Sequence, residues 1–132
     1  MRQAGLAALG LMLAAGPALA HHSAAMFDRT KKVTVTGVVK DFQYTQPHSW
    51  IDVNVPEPKG KTVEWSFEGG TPGQMKAVGL SPSTLKSGDK VTITGYPLRD
   101  GRPGAAFLEV TLPNGQTVTT RPPTAPPPTP AP

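Results

Sequence analysis

The chain has 132 residues, a net charge of +4 and no cysteine. Without cysteine there are no disulfides, thiolate metal sites, iron–sulfur clusters or covalently attached c-type haem, so stability has to come from packing. The length suits one domain. Lys31, Lys32, Lys40, Lys59, Lys61, Lys76, Lys86 and Lys90 are spread among acids and not gathered into the basic stripe of a nucleic-acid binder, so no nucleic acid is expected as partner.

Residues 1–20 carry the three parts of a secretory signal: Arg2 at the start, an apolar run from Leu6 to Ala15, and the small-x-small site Ala18, Leu19, Ala20. Gly16 and Pro17 interrupt the apolar run well short of the roughly 20 residues that a membrane-spanning helix requires. Cleavage after Ala20 is therefore expected. It would deliver a periplasmic or secreted chain with no transmembrane segment and with His21 as its first residue.

Residues 21–32 read as an N-terminal arm and residues 33–120 as the folded domain. Within that domain, apolar and polar residues alternate with the period of two that marks strands. Val33, Val35 and Val39 form a long first strand, with Gly37 suggesting a bulge or sharp coil. Ile51, Val53 and Val55 form a second strand, and Val63, Trp65 and Phe67 a third. A short helix then opens at Thr71 and Pro72, an N-cap followed by a first-turn proline, and closes near Gly79. Ser87, Gly88 and Asp89 turn the chain into a fourth strand carrying Val91 and Ile93. A last ribbon runs from Ala106 through Phe107, Leu108, Val110 and Leu112 to a turn at Asn114 and Gly115. Five short antiparallel strands with one helix after the third predict an all-β domain, a small OB-like Greek-key barrel, although the same count permits a small sandwich. Residues 121–132 are almost wholly Pro, Thr and Ala, a composition that predicts a disordered proline-rich tail.

The histidines carry the chemical expectation. A free amine and the Nδ1 of His21 can chelate one ion, and His22 or His48 can supply a third nitrogen, a tetragonal set that suits Cu(II), with zinc the alternative. Met26 could add a soft thioether. His48 heads the second strand. Pairing strands two and three antiparallel with both apolar sets inward places Glu68 opposite His48 or within one pair of it, as an oxygen ligand or as the group that orients the imidazole. The metal set is thus His21, His22, His48, Glu68 and Met26. A competing expectation is an aromatic surface of Trp50, Tyr44 and Phe42 that meets an envelope protein or a small ligand. No catalytic residue is assigned. Ser49 beside His48 and Asp52 only superficially resembles a triad, because neighbours on a strand point to opposite faces. Binding, delivery or sensing is expected over turnover; oxidative copper chemistry would need the same nitrogens plus an open coordination position.

Several separated stretches also support a resemblance: His21, His22, Ser23, Met26, Phe27 and Asp28; Thr45 through Trp50; Val63, Glu64 and Trp65; and Leu85 to Val91. Together they resemble a family of small exported bacterial proteins described as a domain of unknown function. The resemblance implies a periplasmic barrel and brings no activity or ligand with it. The proline tail departs from it.

Overall fold

The computed structural model describes residues 25–120. The signal segment, His21, His22 and the proline-rich tail lie outside the described residues. Among the described residues, six strands, one short helix and a single 3-10 turn follow in the order β1 (Val33–Gln43), β2 (Trp50–Pro56), the turn Pro58–Gly60, β3 (Thr62–Glu68), α1 (Pro72–Ala77), β4 (Lys90–Pro97), β5 (Gly104–Thr111) and β6 (Thr117–Thr119). The sheet order is β3-β2-β1-β4-β5-β6, and β3 also pairs with β5, which closes the first five strands into a barrel. That closure, 1-2-3-5-4 and back to 1, with a helix between β3 and β4, is the OB arrangement.

The sequence expectation needs three amendments. The barrel is mixed and not wholly antiparallel, because Ser66, Phe67 and Glu68 of β3 run parallel to Gly104, Ala105 and Ala106 of β5. The ribbon after the Asn114–Gly115 turn is long enough to form a sixth, three-residue strand along Glu109–Thr111. The irregularity of β1 lies between Val39 and Asp41, not at Gly37. Gly37 serves close approach instead, since a Cβ there would strike the carbonyl oxygen of Asn54 on β2. Its missing side chain lets one strand serve two neighbours while the barrel bends around it. Gly95 on β4 does the same against the carbonyl of Ala106.

Alternation fills the interior. Ile51, Val53, Phe67, Ile93 and Val110 are fully buried, with Val39 and Val91 beside them. Trp65 stacks on Phe67 with ring centroids 6.2 Å apart, so both belong to packing as expected. Helix α1 exists because its ends are satisfied locally. The Thr71 hydroxyl accepts from the Gln74 amide at 3.2 Å, the Gln74 side chain accepts from the Thr71 amide at 3.0 Å, and Pro72 starts the first turn. Gly79, at φ +99°, ends it in a conformation that costs glycine little. Met75 and Leu80 carry this segment into the core. Among the described residues no helix is long and apolar enough to cross a membrane.

Candidate functional site

The second strand is delivered to the rim of the barrel by a turn whose Gln46–Pro47 peptide is cis. The Thr45 hydroxyl donates to the His48 carbonyl at 2.9 Å. Ser49 then pairs with the chain after β3: its amide donates to the Gly70 carbonyl at 2.8 Å and its carbonyl accepts from the Gly69 amide at 2.7 Å. Next along, Trp50 stands opposite Glu68 in the last ladder pair, and His48, two residues earlier on the same face, reaches Glu68 diagonally.

The contact between them has a definite electrostatic character. His48 Nδ1 lies 3.2 Å from the carbonyl oxygen of Gly69. A carbonyl can only accept, so Nδ1 carries the hydrogen and Nε2 is the free nitrogen. That Nε2 faces Glu68 Oε1 at 3.5 Å. A bare imidazole lone pair and a carboxylate oxygen at this distance repel unless a positive charge sits at Nε2, either a proton or a metal ion. Two donors on one metal ion, each about 2.0–2.1 Å from it at roughly a right or tetrahedral angle, stand about 2.9–3.4 Å apart, so the observed pair at 3.5 Å is slightly wider than a ligand bite. A second partner that fixes the ring through Nδ1 is the usual company of a metal-binding histidine.

Two adjoining clefts open at this rim. The larger, about 640 Å³, is lined by Phe27, Arg29, His48, Glu68, Tyr96 and Phe107 among others. The smaller, about 360 Å³, includes Met26, Trp50, Arg102 and, again, Phe27 and Glu68. Phe27 and Glu68 therefore border both. The arm reaches this place because it is stitched to the end of β4. Phe27 bridges Leu98 and is buried, the Asp28 amide donates to the Pro97 carbonyl, and the Arg99 amide donates to the Met26 carbonyl, both at 2.8 Å. Arg99 Nε also donates to the Ala25 carbonyl at 3.1 Å. The Thr30 hydroxyl and then the Thr30 amide, both donating to Asp28, hold that carboxyl below the usual range, with Arg99 and Lys31 adding positive charge.

The structure thus brings His48, Glu68 and Met26 to one rim, with Met26 exposed beside the smaller cleft. His21 and His22 lie outside the described residues. Among the described residues there is no group of three or more histidine, aspartate or glutamate side chains that could hold a metal, so His48 and Glu68 stand as two donors. Asp52, on the same strand, is committed elsewhere: its carboxylate accepts from the Ser66 hydroxyl and from the Gln43 amide.

The aromatic surface is not assembled as expected. Phe42 stands opposite Ile51 on the core side, whereas Trp50 stands opposite Gln43 on the other side. Phe42 and Tyr44 pack edge to face at 5.7 Å against the core, and the Tyr44 hydroxyl donates to the Pro72 carbonyl at 2.7 Å. Tyr44 thereby ties the start of α1, and Phe42 packs beside it on the core. Trp50 is half-buried in the wall of the smaller cleft. The Ser49 hydroxyl is fully buried and without a hydrogen-bond partner among the described residues, His48 included, which disposes of the apparent triad. Sequence reasoning missed Arg29 and Tyr96, which meet as a guanidinium over a ring at 5.4 Å. No local pattern could announce a pair joined only by the docking of the arm.

A family model described as a family of unknown function, DUF6152, matches residues 8–107. The chain belongs to this family. No curated protein matches it. Among solved structures, the mitochondrial single-stranded DNA binding protein Rim1 of S. cerevisiae is similar over 62% of this chain and 92% of its own, at 12% identity and a TM-score of 0.49. So distant a likeness says nothing about what this family member binds.

Proposed function

We propose that this family member is an exported metal-binding protein that holds one copper ion at the barrel rim, through His48, Glu68 and the amine and imidazole of a processed N-terminus at His21. His22 is the alternative third nitrogen, Met26 a thioether within the same region, and zinc the alternative ion. The observation that supports this reading is the placement of two donor atoms, His48 Nε2 and Glu68 Oε1, 3.5 Å apart at the rim, with the ring held from behind through Nδ1 by the Gly69 carbonyl. The anchored arm supplies the rest. Three residues lie between His21 and Ala25, whose carbonyl Arg99 holds, and the four steps of an extended chain cover about 13–14 Å from that anchor. Nitrogen-rich coordination of this kind favours Cu(II). The reading implies cleavage after Ala20, a periplasmic or secreted location, and a role in binding, delivery or sensing.

The experiment is mass spectrometry of the exported protein followed by Cu(II) titration of the same material. A chain starting at His21 should bind one equivalent, and one alanine added before His21 should weaken binding more than tenfold by moving the amine out of the chelate. Equal affinity of the two forms would refute the proposal.

A further inference from the structure

The larger cleft has a second chemical feature, at the wall opposite in kind to Glu68. Arg29 lies with its guanidinium carbon 5.4 Å from the centroid of Tyr96. Stacking engages the face of the guanidinium and leaves its in-plane N–H donors unspent. Among the described residues no carboxylate pairs with Arg29: Asp28, next to it, is taken by Thr30 and Lys31, and Glu68 faces His48. Beside the polar groups of His48, Glu68, Gln74 and Thr120, the lining has an apolar part formed by Phe27, Met75, Val78 and Phe107, and a volume of about 640 Å³ is in the range of small-ligand sites. A cleft with an apolar patch and one forked cation stacked on its wall matches a particular class of molecule.

We propose that this cleft binds a small amphipathic monocarboxylate. Its carboxylate would take the two in-plane donors of Arg29, and its aliphatic or aromatic body would lie against Phe27, Val78 and Phe107. Glu68 in the same cleft repels a second negative charge, which selects one carboxylate over two. The proposal goes beyond the metal reading and does not rest on it.

The test uses the metal-free full chain in the presence of a chelator, with octanoate as probe and octanol as its uncharged counterpart. Calorimetry should show one saturable octanoate site and at least tenfold weaker octanol binding. Arg29→Gln should weaken octanoate at least tenfold and leave octanol unchanged, because Arg29 is exposed and its removal leaves the core intact. Arg29→Lys, which keeps the charge and loses the fork, should fall between. Val78→Phe should exclude both probes, and amide shifts on octanoate binding should centre on Val78 and Phe107. Equal affinity for octanoate and octanol, indifference to Arg29→Gln, or no saturable binding would overturn it. Because the chelator removes any metal, failure here leaves the copper titration unaffected, and failure there leaves this result unaffected.

Discussion

Along β2, Ile51 and Val53 are completely buried and cross-paired on both sides, with Phe42 and Val39 on one neighbour and Phe67 and Trp65 on the other. Three residues before Ile51, His48 has a side chain 42% exposed, and its partners are a backbone carbonyl and a carboxylate. The wall around Ile51 and Val53 is determined by repetition: each of these apolar residues has apolar neighbours across both ladders, and any of several similar side chains would serve. The rim is determined by single contacts between distant segments, Met26–Asp28 on the end of β4 and His48 against Gly69 and Glu68. Substitutions in the wall should therefore act on stability, and those at the rim on binding.

The largest expected effect tests the wall. Gly37→Ala places a methyl group against the Asn54 carbonyl, a backbone atom that cannot step aside, and should cost about 3 kcal/mol or more in urea denaturation. A cost below about 1 kcal/mol would mean that β1 does not approach β2 as described. Phe27→Ala stands at the boundary between the two regions. Phe27 is 6% exposed and lines both clefts, so its loss should cost about 3 kcal/mol and also free the arm, lowering copper affinity together with stability. If stability falls and copper affinity does not, the arm plays no part in the site.

Smaller effects sharpen the contrast. Ser49→Ala removes a buried hydroxyl with no partner and should leave stability unchanged or raise it by about 1 kcal/mol; a loss of similar size would reveal a partner for that hydroxyl. Acid titration addresses the anchoring of the arm. The Asp28 carboxyl is held below its unfolded value by Thr30, so its contribution is present above the unfolded pKa and is lost as pH falls through the lowered folded pKa. Amide signals of Phe27 and Leu98 should therefore stay in place through the ordinary carboxylate range and shift only below it. Smallest of all, Glu64→Gln breaks an exposed ion pair with Lys40 and should produce no measurable change in stability, even though Glu64 raises the Lys40 pKa.

What can be read in the sequence divides along the same line. Period-two alternation locates the strands because each inward side chain independently prefers burial, and Thr71, Pro72 and Gly79 mark the helix because capping is a local interaction. The approach of Glu68 to His48 is also legible, since antiparallel register follows once both apolar sets must face inward. Three features are not. Phe42 is expected to face outward, but the irregularity after Val39 sets it opposite Ile51, and alternation counted from the first half of β1 does not carry across it. Gly37 reads as a bulge because a glycine in a strand has two uses, and only the neighbouring strand decides between them. The pairing of Arg29 with Tyr96, and the burial of Phe27, depend on where the arm docks, which no spacing encodes.

The proposed metal site at His48 and Glu68 is tested most directly by electron paramagnetic resonance of the Cu(II)-loaded mature protein, comparing the wild type with His48→Ala and Glu68→Gln. One copper ion is expected, with a nitrogen hyperfine pattern that loses one imidazole in His48→Ala, together with at least a tenfold loss of affinity, and a smaller change in Glu68→Gln. A spectrum and affinity unaltered by His48→Ala would show that His48 is not a ligand and would contradict the proposed site.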